Sequence, residues 1–213
     1  VFARTGPKEA RHKAITAFLV KRGSCVEASP IEVMGMRGTG TAEVKFNECP
    51  AGDDDVVGKV NEGWTVAMNG LNMGRLNVGA LGLGIAEEAF RQAFDYAHKR
   101  EAFGKPIAEF QIIQHYLAEM YIRVESLRTL VYTAAKMRDR GDPQFLLYAQ
   151  VAKVLGSRTA VESTRLAVQI LGGFGYSKDA HVEMLYRDAK ATEIYEGTNE
   201  IILNTIYKFL KRS

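Results

Sequence analysis

From Glu62 onward, apolar residues recur every three or four positions, which is the spacing of one buried face of an α-helix. The pattern predicts a long first helix, kinked near the glycine cluster at 79–84. A second helix follows Pro106 and ends at the turn sequence RGDP (140–143), from which a third helix runs to Leu171. Three long amphipathic helices therefore dominate this part of the chain.

Two shorter helices are predicted closer to the C-terminus. The sequence HVEMLYRDAK (181–190) supports one, and the segment from Asn199 to Leu210 supports the other, with Thr198 as its N-cap. Long helices joined by short loops pack antiparallel. The predicted fold class is therefore mainly α, with an up-down four-helix-type bundle over residues 59–213.

Residues 1–58 follow a different pattern. The segments AITAFLVKRG (14–23) and TAEVKFNECPAG (41–52) are rich in Val, Phe and Thr and end at Gly or Pro, which is typical of β-strands. The turn-rich sequence MGMRGTG (34–40) connects them. We interpret residues 1–58 as a partial antiparallel β-domain. Because the chain is already strand-like at Val1, we expect its partner strands to lie in residues that precede it.

Composition and charge narrow the classes of protein. Hydrophobic residues make up 46% of the chain, which predicts a soluble globular protein. The net charge of +3 comes from 28 basic and 25 acidic residues spread along the chain, so no nucleic-acid partner is expected. No apolar run reaches the ~20 residues of a membrane span, and no secretory signal is recognisable. We expect a protein of the prokaryotic cytoplasm or the mitochondrial matrix.

Cysteine and histidine suggest no special chemistry. Two cysteines in a mostly helical chain are usually reduced thiols, so Cys25 and Cys49 are predicted to be unbridged. The histidines lack the spacing of metal ligands and are interpreted as structural or surface residues, and no metal is predicted. They are His12, His98, His115 and His181.

Several motifs, taken in order and at their separations, resemble the acyl-CoA dehydrogenase family along essentially the whole chain. They are MGMRGTGTAEVKFNECP (34–50), GLNMGR (70–75), REAFGKPIAEFQ (100–111), QILGGFGY (169–176), YRDAK (186–190) and IYEGTNEI (194–201). The resemblance implies a subunit with an N-terminal helical domain, a middle β-domain and a C-terminal bundle. This sequence would hold the second part of the β-domain and the bundle, and by itself we expect it not to bind flavin tightly.

The chemistry implied by this family is the removal of a proton and a hydride from adjacent carbons of a fatty acyl-CoA. No standard side chain accepts hydride, so FAD is the implied cofactor. Glu196 is the implied base by its match to the YEG motif, flanked at the substrate by Tyr195 and Gly197. The alternative for Glu196 is a solvated carboxylate in front of a helix, and the alternative for Gly197 is an ordinary turn glycine.

The resemblance also implies contacts with CoA. Asn72 and Arg75 would contact this moiety, with Arg75 near the adenine or its ribose phosphate. The alternative for Arg75 is an exposed arginine on an amphipathic helix. In one branch of the family the catalytic carboxylate stands at the place of Gly74. Because this chain has glycine there and Glu196 in the YEG motif, the base is predicted in the motif.

Flavin contacts are implied in two groups. Thr198 and Glu200 would meet the flavin of their own subunit, although Glu200 is also a first-turn acid of the kind that a helix dipole favours. Phe103 and Gln111 could equally serve helix packing. The residues implied at the pyrophosphate and adenine end of a flavin across a subunit interface are Arg100, Phe103, Gln111, Gln169 and Gly173. This arrangement predicts a homodimer or a homotetramer.

The resemblance leaves three functions open. The leading one is an FAD-dependent acyl-CoA dehydrogenase of fatty acid β-oxidation that passes electrons to an electron-transfer flavoprotein. An acyl-CoA oxidase would share the proton and hydride steps and use oxygen as the acceptor. A non-catalytic assembly or binding relative is the third, against which the presence of Glu196, Arg75 and Arg100 together argues. Acyl chain length is left undecided.

Overall fold

The computed structural model describes residues 1–211 and confirms the mainly helical fold class. The helices lie within a few residues of their predicted positions, except for a four-residue helix at Gly173–Tyr176 that was not predicted. They are α1 (Gly63–Lys99), α2 (Gln111–Asp139), α3 (Phe145–Leu171), α4 (Gly173–Tyr176), α5 (His181–Thr192) and α6 (Asn199–Leu210). The predicted N-cap of α6 is confirmed, since the Thr198 side chain accepts a hydrogen bond from the N–H of Ile201 at 3.5 Å.

The chain divides into two compact units. The first comprises Val1–Val33 and Arg37–Asn72, and the second comprises Met34–Met36 and the chain from Met73 onward. The division falls inside α1, which is continuous, so the predicted domain boundary between residues 58 and 59 stays a prediction.

The first unit is built on antiparallel strand pairs, as predicted for the partial β-domain. Strand β1 (Phe2–Arg4) pairs with β2 (Ile15–Ala17) so that Ala3 lies opposite Thr16. Strand β3 (Val26–Pro30) pairs with β4 (Ala42–Phe46) so that Ala28 lies opposite Val44. The turn-rich sequence 34–40 falls between β3 and β4.

The prediction of two reduced thiols is wrong. Cys25 precedes β3 and Cys49 follows β4, and the antiparallel register brings their Cα atoms to 5.3 Å, where the two sulfurs are joined in a disulfide. A backbone hydrogen bond of 2.8 Å from Asn47 N–H to the Cys25 carbonyl extends the pairing beyond the strands. The separation of 24 residues in sequence gave no indication that a hairpin would close this distance.

In the second unit, α3 packs against α2, α5 and α6. The buried face of α2 has the three-or-four-residue spacing that the sequence pattern predicts. It consists of Leu117, Met120, Val124, Leu127, Val131 and Ala134. Between α1 and α2 lies a short hairpin of β5 (Glu101–Ala102) and β6 (Lys105–Pro106), which carries Phe103 at its tip.

The glycine cluster of α1 packs against α3 and does not interrupt the helix. A Cβ atom at Gly82 would lie 2.5 Å from the Gly156 carbonyl oxygen, and one at Gly79 would lie 2.9 Å from that of Ala152. Such distances are too short for any side chain, so the two backbones touch. Glycine on both helices permits this close crossing.

The YRDAK motif has a structural use within the second unit. The Asp188 carboxylate accepts a hydrogen bond of 2.6 Å from the N–H of Met36, and the Arg187 guanidinium donates to the Met34 carbonyl at 2.8 Å. A Cβ at Gly35 would lie 2.4 Å from the Arg187 carbonyl oxygen, so only glycine fits there. The segment Met34–Met36 is thereby held against α5.

Neither a membrane helix nor a metal cluster is found in residues 1–211. No helix there is both long enough and apolar enough to cross a bilayer. Within the same residues, no three side chains of His, Cys, Asp or Glu lie close enough together to hold a metal ion.

Candidate functional site

Glu196 lies in the short turn between α5 and α6. Both Glu196 (φ 56°) and Gly197 (φ 97°) have left-handed backbone conformations. Glycine adopts such a φ freely, whereas a residue with a Cβ does so at a cost of ~1–2 kcal/mol. The turn therefore holds Glu196 in a conformation that the surrounding structure must stabilise, as is common at functional sites.

The Glu196 carboxylate lies directly against Gly74 of α1. A Cβ atom added to Gly74 would be 2.6 Å from both Cδ and Oε2 of Glu196. The side chain is partly buried, and its Oε2 atom is buried without a hydrogen-bond partner in the described part of the chain. Buried carboxylate oxygens are normally paired, so an unpaired one suggests a group kept available for a ligand. The alternative of a solvated carboxylate does not fit this position.

Arg75 approaches the same turn from α1. Only 8% of its surface is exposed, and its Nε donates to the Glu196 carbonyl oxygen at 3.4 Å. Burial lowers the pKa of the Arg75 guanidinium, and the negative charge of Glu196 opposes that change. The alternative of an exposed surface arginine is therefore wrong. Contact of Arg75 with CoA stays a prediction.

Two further residues predicted at the substrate, Tyr195 and Asn72, are at least partly accessible to solvent. Tyr195, next to Glu196 in the turn, is 39% exposed, and burial of its hydroxyl, together with the charge of Glu196, raises its pKa. Asn72 lies on α1 and is partly buried. Their roles toward substrate stay predictions.

A buried polar group beneath the turn was not predicted. Lys153 of α3 is fully buried, and its Nζ donates to the Asn199 side-chain oxygen at 2.9 Å and to the Glu193 carbonyl at 3.2 Å. Ser157 Oγ lies 3.0 Å from the same Asn199 oxygen. Desolvation lowers the pKa of Lys153, and the carboxylates of Glu193 and Glu200 oppose this. A lysine within the apolar run YAQVAKVLG was a signal that could have pointed to the group.

The first turn of α6 carries the two residues implied for the flavin of the same subunit. The Thr198 hydroxyl is partly buried and caps the helix. Glu200 is exposed, and hydrogen bonds from its own backbone N–H and from Thr198 lower its pKa. These contacts agree with a first-turn acid at a helix N-terminus. A flavin contact stays a prediction for both residues.

The remaining predicted flavin residues lie at the opposite end of α3. Gln169 is 16 positions beyond Lys153, which corresponds to ~24 Å along a helix. The rings of Tyr96 and Phe174 stack with centroids 5.9 Å apart, so the end of α1 lies beside α4. The residues that this end presents on its surface are Arg100, Phe103, Gln111, Gln169 and Gly173.

Phe103 stands out within this exposed group. Its side chain is 97% exposed, and its backbone φ of 54° is left-handed. Apart from an edge contact with Phe110 at 6.1 Å between centroids, the ring faces solvent. Helix packing therefore does not explain Phe103, and Gln111 is also exposed at the start of α2. A single exposed ring is common on protein surfaces, so contact of Phe103 with flavin stays a prediction.

Comparison with proteins of known name finds relatives that include acyl-CoA dehydrogenases, the family that the motifs resemble. An acyl-CoA dehydrogenase of Bacillus subtilis (strain 168) is 43% identical over 211 residues, which cover 98% of this chain and 55% of that protein. The acryloyl-CoA reductase (NADH) of Anaerotignum propionicum is 42% identical over 203 residues, covering 94% of this chain and 51% of that protein. The chain thus spans about half the length of the curated relatives it matches.

Solved structures share the fold. Butyryl-CoA dehydrogenase from Megasphaera elsdenii superposes with a TM-score of 0.96 at 39% identity, covering 100% of this chain and 55% of that one. A chain solved in work on the electron transferring flavoprotein of Acidaminococcus fermentans superposes with a TM-score of 0.95 at 38% identity, covering 100% of this chain and 56% of that one. Residues 61–211 match the family model described as the acyl-CoA dehydrogenase C-terminal domain. The chain therefore belongs to the acyl-CoA dehydrogenase family.

Proposed function

We propose that the protein to which this chain belongs removes two hydrogens from Cα and Cβ of an acyl-CoA thioester. The observation that carries the proposal is the Glu196 carboxylate, which has a buried oxygen without a hydrogen-bond partner among residues 1–211 and lies against a glycine that leaves room beside it. Glu196 is the base that takes the α-proton. As the Cα–H bond breaks, its electron pair forms the second bond between Cα and Cβ.

The chain's own residues support a specific division of roles around Glu196. Gly197 keeps side-chain atoms away from the carboxylate, so that a thioester can approach the backbone. The backbone N–H of Glu196 is a candidate donor to the thioester carbonyl, where negative charge develops as the proton leaves. Arg75 holds the Glu196 carbonyl from α1 and so orients the base.

FAD is the proposed cofactor, and the exposed residues fit it chemically. Phe103 offers an apolar ring and Arg100 offers a fork of donors suited to phosphate oxygens, both on the surface. Thr198 and Glu200 would hold the flavin of the same subunit. When bound, FAD supplies the acceptor for the hydride that leaves Cβ, which no side chain can supply. Reoxidation of the reduced cofactor requires the removal of two electrons, together or one at a time, by an acceptor that this chain does not supply.

The proposed electron acceptor is an electron-transfer flavoprotein. The likeness to a chain solved in work on such a flavoprotein supports it, and so does the B. subtilis relative, which is named a dehydrogenase. The proposed location, a prokaryotic cytoplasm or the mitochondrial matrix, rests on the family resemblance. Dye reduction under anaerobic conditions, with no oxygen consumption in a separate aerobic assay, would support a dehydrogenase. Oxygen-dependent turnover in the aerobic assay would support an oxidase.

The replacement Glu196→Gln tests the proposed base. The amide is nearly isosteric and cannot accept a proton, so we expect turnover of the full-length enzyme with acyl-CoA to fall by ~10²-fold or more. Flavin content and acyl-CoA binding should be retained, as measured by absorbance and by calorimetry. Turnover within threefold of the wild type would remove Glu196 from the mechanism.

The reverse reaction is a second candidate, because a relative 42% identical is named an acryloyl-CoA reductase. In that direction Glu196 would protonate Cα while hydride is added to Cβ. The same two bonds are involved, so the site geometry suits both directions. Assays of 2-enoyl-CoA reduction with NADH and of acyl-CoA oxidation with an electron-transfer flavoprotein, under equal conditions, distinguish the two candidates.

A further inference from the structure

We propose that Lys153 is a positioning residue for Glu196, acting through Asn199 and the Glu193 carbonyl. This inference rests on the proposed function, since it concerns the base of that reaction. The hydrogen bonds of Lys153 go to Glu193 and Asn199 and not to Glu196 itself. Lys153 binds the two ends of the turn in which Glu196 stands midway, three residues from Glu193 and three from Asn199.

The contacts close the turn at a single point. The Lys153 ammonium donates to the Glu193 carbonyl at 3.2 Å, and the Asn199 N–H donates to the same carbonyl at 3.1 Å. The Asn199 side-chain oxygen receives Lys153 at 2.9 Å and lies 3.0 Å from Ser157 Oγ. Both ends of the turn are therefore fixed to α3. Between them, Glu196 holds a left-handed conformation that is costly for a residue with a Cβ, and a turn without anchored ends would relax away from it.

Burial shows that packing alone does not account for this lysine. Lys153 and Ser157 are fully buried and Asn199 is 4% exposed. An ammonium loses its hydration on burial, and an apolar side chain of similar length would fill the same space without that penalty. What the lysine adds is a set of directed hydrogen bonds. These hydrogen bonds go to Glu193 and Asn199, the two ends of the turn that carries Glu196.

The test compares two lysine variants of the full-length enzyme. Lys153→Met keeps the length of the side chain and removes the donors. We expect kcat to fall by ~10-fold to ~100-fold, because small misplacements of a base are costly, while KM changes less than about twofold. The kinetic isotope effect of Cα-deuterated acyl-CoA on kcat should increase, since proton transfer becomes slower relative to other steps. A purely structural role would lower the melting temperature and leave the isotope effect unchanged.

Lys190→Met is the matched control. Lys190 contacts Glu193 as well, but from the surface, with its Nζ 2.6 Å from the Glu193 carboxylate and its side chain 53% exposed. It does not hold the Glu193 carbonyl or Asn199. We expect kcat and the isotope effect of this variant to stay within about twofold of the wild type.

Two Asn199 variants keep the test decisive if Lys153→Met does not fold. Asn199→Asp retains an oxygen for Lys153 and Ser157, whereas Asn199→Leu removes it. We expect near-normal kcat for the first and a loss like that of Lys153→Met for the second. Equal kcat and isotope effects in both variants, or an unchanged isotope effect in Lys153→Met, would overturn the proposal. Glu196→Gln in the same assay separates the outcomes, because only its activity decides whether Glu196 is the base.

Discussion

Gly74 is the residue whose replacement most directly probes the carboxylate position. The Cβ of Gly74→Ala would lie 2.6 Å from the Glu196 carboxyl group, which is the movable end of a side chain. We expect the carboxylate to shift and kcat to fall by ~10-fold or more. Unfolding free energy should change little or rise by up to ~1 kcal/mol, because alanine favours the helix. Steady-state kinetics and thermal unfolding of the full-length enzyme measure the two effects.

Gly70→Ala provides the control for that variant. Gly70 lies one turn earlier on α1, and nothing lies within 4 Å of a Cβ built there. The same helix propensity gain is expected, with kcat unchanged. If both variants keep full activity, the Glu196 carboxylate does not need the position seen against Gly74.

At the scale of elements, the crossing of α1 and α3 depends on glycine. A Cβ at Gly82 would lie 2.5 Å from the Gly156 carbonyl oxygen, which is backbone and cannot move aside alone. We expect Gly82→Ala to lower the unfolding free energy by ~1–3 kcal/mol, as overpacking of a close contact does. Chemical denaturation followed by circular dichroism measures the change.

Gly84→Ala is the comparison within the same helix. Gly84 is also in α1, but no atom lies within 4 Å of its added Cβ. Alanine should there be neutral or stabilising by up to ~1 kcal/mol. Equal destabilisation by both variants would mean that glycine is needed in this stretch for a reason other than the contact with α3.

At the scale of the whole molecule, Lys153 beneath the turn that carries Glu196 and Gln169 in the exposed group lie ~24 Å apart along α3. We predict that the exposed group binds the flavin of a neighbouring subunit, in a homodimer or homotetramer. Arg100→Ala should therefore weaken flavin retention and the dimer together, by ~10-fold or more in dissociation constant, because a charged hydrogen bond to phosphate is lost.

Flavin absorbance after dialysis and sedimentation velocity of the full-length protein measure the two properties. Arg140→Ala is the control, since Arg140 is exposed beyond the other end of α2. A flavin-loaded monomer of the wild-type protein would contradict the shared site.

The sequence by itself determined the five longer helices, the antiparallel β character of the N-terminal part, the N-cap of α6 and the family. These depend on local periodicity, capping and motif spacing, which can be read from neighbouring residues. The positions of the predicted site residues were also located by motif, although their roles stay predictions. The exposure of Phe103 and the burial of Arg75 were not determined in this way.

Only the tertiary structure decided which distant residues meet. The contact of Glu196 with Gly74 joins residues 122 positions apart, and the contact of Lys153 with Asn199 joins residues 46 apart. The Cys25–Cys49 disulfide and the crossing at Gly82 and Gly156 are of the same kind. Each depends on strand register or helix packing, which arise from the sum of many contacts along the chain. A residue's own neighbours in sequence do not contain that information.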